Sequence, residues 1–175
     1  MEQTVTPTST KGIVIGLILV VLALATYFLD IKANGPLQWI GYVIFMGGII
    51  WSVMSYGKQV SYNATFGNYF AHGFKVAALV TAIMIIYIII FVVLFPEFKE
   101  KAIVEARKSM QEKNNLSEEQ IKTGLDMTRK FCMVFLVGGT LIGYLVFGTL
   151  SSLVAAAITK KQPNNLGGNI NQTGL

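Results

Sequence analysis

Four stretches of the chain are almost wholly apolar, with polar or charged segments between them. The first, Gly12 to Leu29, reads GIVIGLILVVLALATYFL. It carries no charge over about 18 residues, and at about 1.5 Å rise per residue it reaches roughly 27 Å, enough to cross the hydrocarbon of a bilayer. A polar turn, DIKANGP, follows and closes on Gly35-Pro36. The second run, Leu37 to Tyr56, has Trp39 and Tyr42 near one end and Trp51 and Tyr56 toward the other. That spacing fits aromatic anchoring at the two membrane surfaces. The third run, Val76 to Phe95, is the most lipophilic and stops at Pro96; the fourth begins near Phe131 and ends at Ile158, just before Lys160-Lys161. The pattern predicts an all-α integral membrane four-helix bundle, with spans over about 12–29, 37–56, 76–95 and 131–158. Residues 1–161 form one domain, and the Asn-rich tail 162–175 reads as disordered.

The first run has a second reading. Ala23-Leu24-Ala25 has the form of a signal-peptide cleavage site, and cleavage there would leave three spans. The apolar run continues through Tyr27, Phe28 and Leu29, however, and the leading MEQTVTPTST holds an acid and no base. A retained span is the expectation.

Between the second and third spans lies GKQVSYNATFGNYFAHGFK. Phe66, Phe70, Phe74 and Ala77 fall on one helical stripe, which predicts an amphipathic lead-in whose aromatic side lies among lipid headgroups. This stripe serves as an anchor or as an entrance for a lipid or ligand. His72, the only histidine, is expected to be a polar surface residue of that helix rather than a proton carrier.

The long segment 96–130 splits into two helical patterns. In the first, Phe98, Ala102, Ala106 and Met110 recur every four residues, with Ile103 widening the stripe. Asn114-Asn115 marks a stop. In the second, Ser117 and Gln120 make a capping box, and Leu116 and Ile121 occupy the two places of a hydrophobic staple. Ile121, Leu125 and Thr128 form its inner stripe. The charges suit this geometry: Glu118 and Glu119 sit at the positive end of the helix dipole. Glu97–Lys101, Lys108–Glu112, Glu118–Lys122 and Asp126–Lys130 have i,i+4 spacing. The two patterns predict an extramembrane helical hairpin over about 97–130, either a solvated connector or a docking arm. No breaker separates the second helix from the fourth span, so one continuous helix from Glu118 to Thr159 is expected.

Composition agrees with a membrane protein: 53% of residues are hydrophobic, 13% are charged, and mean hydropathy is +0.58. Cys132 is the only cysteine, so no intrachain disulfide forms. The net charge of +5 is spread over span ends and one acid-balanced loop, so it points to lipid headgroups and not to nucleic acid. Orientation is read two ways. Lys/Arg counts favour the long loop as cytoplasmic, with eight bases and seven acids, whereas Lys11 and Lys160-Lys161, next to spans and without nearby acids, favour cytoplasmic termini. The second reading is preferred.

No Asp, Glu, Lys, Arg or His lies in the middle of a span, which argues against a proton-coupled pump. No catalytic, cofactor-binding or metal-ligating set appears at any recognised spacing, so no enzyme activity and no cofactor are expected. Small residues do recur in the spans: Gly12/Gly16, Gly139/Gly143, and a Gly148–Ser152–Ala156 stripe, with Gly47-Gly48 in the second. They serve packing within the bundle or a homo-oligomer.

The order of elements, the aromatic lead-in, the LSEEQI start, Met127, Thr128, Lys130 and Phe131 downstream, and the Gly-rich last span ending in a Lys pair resemble a bacterial family. It is a Bacteroidota-type family of small four-span membrane proteins classed as a domain of unknown function. The resemblance covers roughly Lys11 to Lys161 and implies a multi-pass protein of the bacterial cytoplasmic membrane. It hands down no functional residue. The expected function is a non-enzymatic scaffold or accessory subunit engaging a membrane-protein partner or a second copy. The alternative is a small oligomeric transporter or channel for a neutral or lipidic solute, which would need Ser52, Thr81, Thr140 or Ser151 to converge on a solvent-lined cavity.

Overall fold

A computed structural model of the chain describes residues 6–29, 39–112 and 117–160. The DIKANGP turn, the Asn114-Asn115 stop, the Leu116 half of the staple, Lys161 and the tail lie outside the described residues. The described chain forms five helices and no strand: α1 (Thr8–Phe28), α2 (Ile40–Gln59), α3 (Phe66–Leu94), α4 (Glu97–Gln111) and α5 (Glu118–Ile158). Four of them, α1, α2, α3 and α5, are long and apolar enough to cross a membrane.

Local chemistry sets most of the ends. At the start of α3, the Thr65 hydroxyl accepts the Asn68 amide at 3.3 Å. Pro96 separates α3 from α4, whose first turn carries Glu97 and Glu100. The expected capping box opens α5: Gln120 N–H donates to the Ser117 hydroxyl at 3.3 Å, and Ser117 N–H donates to Gln120 Oε1 at 2.9 Å. α5 then runs unbroken for 41 residues, which at about 1.5 Å each is roughly 60 Å. The bilayer core is only about 30 Å thick, so part of α5 stands outside it.

Side-chain pairing gives the topology. α1 and α3 run parallel, since Leu79 packs on Gly12 and Ile83 on Gly16. α2 and α5 are parallel too: Tyr42 meets Phe147, and Thr159 reaches Gly57. α2 and α3 form the middle of a diamond, in contact with each other and with both outer helices, α1 and α5. The tightest seam is α3 on α5. A Cβ at Gly148 would lie 2.6 Å from the Ala77 Cβ, and one at Gly73 would meet Ser152 Oγ at 2.8 Å, so both positions require glycine for the approach. Gly139 has no neighbour within 4 Å among the described residues, and Gly143 faces the Tyr42 hydroxyl.

The core is Ile15, Leu19, Phe45, Ile49, Val53, Tyr69, Val76, Ala77, Val80, Met84, Ala155 and Ala156, which lies toward the end holding the start of α1. At the opposite end Tyr27 packs edge-on to Phe91 at 4.9 Å, and Phe95 and Phe98 extend the ring cluster to α4.

Candidate functional site

Polar side chains from three helices meet inside the bundle near the start of α1. Helical phase brings them together. Lys11 shares a face with Ile15 and Leu19, Ser52 with Phe45 and Ile49, and His72 with Tyr69 and Val76. They are 3%, 0% and 7% exposed. His72 Nδ1 lies 3.3 Å from the Thr8 hydroxyl, and Nε2 lies 3.2 Å from the Ser52 hydroxyl. In a neutral imidazole one nitrogen donates and the other accepts; a hydroxyl can do either, so both bonds close in either tautomer. The Tyr56 ring stacks on the imidazole, 4.3 Å between centroids and 6° between planes. Lys11 Nζ donates to the Ser52 carbonyl oxygen at 3.3 Å. Further out, Thr6 N–H donates to Gln59 Oε1 at 3.2 Å, and Gln59 Nε2 donates to the Thr6 hydroxyl at 2.9 Å. The first turn of α1 is thereby tied to both α2 and α3.

This corrects one expectation. His72 is not a surface residue of an interfacial helix; it is buried and bonded through both ring nitrogens. Phe66 and Phe74 do lie on the exposed side, but Tyr69, His72, Gly73 and Val76 make an inward face. One signal in the sequence points there: His72, Val76 and Val80 follow one another at i, i+4 and i+8, continuing the apolar face of the span.

Ser52 and His72 stand at the separation a nucleophile and its base need. Ser52 is wholly buried, however, so an acyl group has no approach to its Oγ. Its hydroxyl and its carbonyl are each committed to a neighbouring helix. The arrangement is a clamp. Three other hydroxyls of the spans are turned inward on their own helices: Thr81 donates to the Ala77 carbonyl, Thr140 to that of Leu136, and Ser151 to that of Phe147, at 2.7–2.8 Å. Thr81, Thr140 and Ser151 thus spend their protons on backbone and not on a shared path.

A second feature lies at the other end. α4 packs along the first part of α5: Arg129 pairs with Glu100 at 3.7 Å, and Met110 sits beside Gly124, contacts in antiparallel order. The expected stripes face each other. Ile103 is buried, while Phe98, Ala102, Ala106, Met110, Ile121, Leu125 and Thr128 are only half-buried. Between the helices runs a groove of about 370 Å³ with Ile103, Ile121 and Leu125 along it and Arg107, Lys122 and Asp126 at its edges. The i,i+4 ion pairs expected along α4 and α5 do not form: Arg129–Glu100 is the one ion pair among the described residues. Solvated side chains gain too little from such pairing to fix their rotamers.

No three His, Cys, Asp or Glu side chains among the described residues stand close enough to share a metal ion. Fold and sites together define an all-helical protein with four membrane-length helices, a buried polar clamp and a charged helical arm. A family model described as protein of unknown function (DUF4199) matches residues 10–161, and the chain belongs to that family. Neither a curated protein nor a solved structure matches the chain.

Proposed function

We propose that the chain is an accessory or scaffold subunit of the bacterial cytoplasmic membrane that engages a protein partner through the arm of α4 and the first part of α5. One observation carries this reading: the arm leaves its apolar stripe open. Two helices cover each other only in part, the groove between them is unfilled, and Val104 and Met127 are 53% and 59% exposed. Exposed apolar surface within the spans is covered by lipid. On the arm it lies beyond the roughly 30 Å that the bilayer core occupies, so lipid does not reach it and a protein surface would. In the same reading both chain ends face the cytoplasm and the arm faces the other side.

The test is photo-cross-linking in native membranes from a reactive residue placed at Val104 or Met127. A discrete protein adduct is expected, lost when Ile121→Glu is added to either probe, or Val104→Glu to the probe at Met127. Recovery of the bare monomer alone, with the arm intact, would overturn the reading.

A further inference from the structure

At the end of the bundle opposite the arm, the described chain carries lysines and no acid. Lys58, Lys75 and Lys160 are exposed and Lys11 is buried, whereas each described Asp or Glu lies in α4, at its C-terminal end (Glu112) or in the first part of α5. On the outer face of α2, toward this end, a cleft of about 430 Å³ runs along the helix. Its inner part is Gly47, Ile50, Trp51 and Met54, and its outer part is Ser55 and Lys58 with Gln59. The cleft is open at Gly47, where a Cβ would touch nothing within 4 Å. Of the polar rim, Gln59 is fixed in place by its two hydrogen bonds to Thr6.

From these observations we infer that the cleft binds one anionic phospholipid. An acyl chain lies over Gly47, Ile50 and Met54. The Trp51 indole, 56% exposed and next in sequence to the Ser52 level of the clamp, stands at the height of the ester groups. Seven residues on, about 10 Å further out along the helix, the Lys58 ammonium meets the phosphate, with the Ser55 hydroxyl beside it. The order apolar, amphipathic, cationic along one cleft is the order of parts in a phospholipid. The missing carboxylates leave Lys58 free to favour an anionic headgroup over a zwitterionic one. A lipid placed here also packs against the Gln59–Thr6 pair and so supports the docking of α1.

The test is native mass spectrometry of the full chain in mild detergent, titrated with phosphatidylglycerol or phosphatidylethanolamine. Gel filtration and a protected Cys132 establish that each variant is folded. Phosphatidylglycerol is expected to bind more tightly. Lys58→Glu and Gly47→Leu, which change the headgroup contact and fill the cleft respectively, are each expected to weaken it by about fivefold or more. Lys99→Glu, on the arm, is expected to leave it unchanged. Equal affinity for both lipids would overturn the inference. So would loss of binding in Lys58→Glu with none in Gly47→Leu, which would mean surface charge without a cleft. A photo-cross-linker at Met54 that captures a protein helix in native membranes, and not lipid, would overturn it as well. None of these outcomes depends on whether the arm has a partner.

Discussion

At His72, two hydrogen bonds and a ring stack converge on one side chain, so its loss should exceed that of any neighbour in the clamp. His72→Ala forfeits about 1 kcal/mol for each bond and leaves a cavity, about 2–4 kcal/mol together. His72→Phe should cost less, because the stack on Tyr56 survives and the Ser52 hydroxyl can donate to its own helix as Ser151 and Ser152 do. Two other positions should behave oppositely. Lys11 buries an ammonium with one carbonyl acceptor and no carboxylate among the described residues, so Lys11→Met is expected to be neutral or stabilising by about 1–2 kcal/mol. The Tyr69 hydroxyl is buried with no well-formed hydrogen bond among the described residues and only the Ala64 backbone as a polar neighbour, so Tyr69→Phe should be neutral or stabilising by up to about 1 kcal/mol. Cys132 supplies the measurement: it is the only cysteine and is 5% exposed, so its reaction with a fluorogenic maleimide on heating reports unfolding. If Lys11→Met proved as harmful as His72→Ala, the ammonium would have an anionic partner. The clamp was hard to read from sequence for a physical reason. Polar residues in a lead-in segment point inward or outward according to which helices lie beside them, and that is a property of the assembled bundle.

The elements differ in how much of each is set locally. The start of α5 is local, and Ser117 with Gln120 sufficed to place it; so were the four apolar runs, whose length alone implies a crossing. The start of α1 at Thr8 is not local. No side chain caps it, and its first turn is held by α2 and α3 through Thr6, Thr8 and Lys11. Ser117→Ala should therefore cost about 1 kcal/mol and speed hydrogen exchange at the first amides of α5 only. The membrane half of α5 should be unchanged, because the α3 seam anchors it. Glycines along α5 should separate sharply by the same logic. Gly148→Val places a Cβ into Ala77 and should cost about 3 kcal/mol, the upper end for overpacking. Gly139→Ala meets open space and should be neutral or stabilising by about 0.5–1 kcal/mol through helix propensity. Both are read by Cys132 reactivity. A destabilising Gly139→Ala would mean that another helix covers that face in the membrane.

Across the whole molecule the charge is partitioned. The arm, residues 97–112 with residues 118–130 of α5, carries seven acids and seven bases, and the opposite end carries four lysines and no acid among the described residues. Counted by bases alone, the arm has the stronger claim to the cytoplasm. Its membrane-proximal bases are engaged, however: Arg129 by Glu100, Lys101 over the Tyr27 ring at 5.7 Å, and Lys130 over Phe131 at 5.6 Å. The rest alternate with carboxylates along two helices, so the arm presents no net field to an anionic leaflet. Lys58, Lys75 and Lys160 at the other end are exposed, with no acid at that end among the described residues, and an anionic inner leaflet holds each such base near its surface by about 1 kcal/mol. The arm is therefore expected outside. In a Cys132→Ala background, an impermeant maleimide applied to spheroplasts should label Glu105→Cys and spare Lys58→Cys until the membrane is opened. The reverse labelling would place the arm in the cytoplasm and move the search for its partner there. Labelling of both from outside would mean that an even number of crossings separates them, and that α3, the one long helix between Lys58 and Glu105, does not cross.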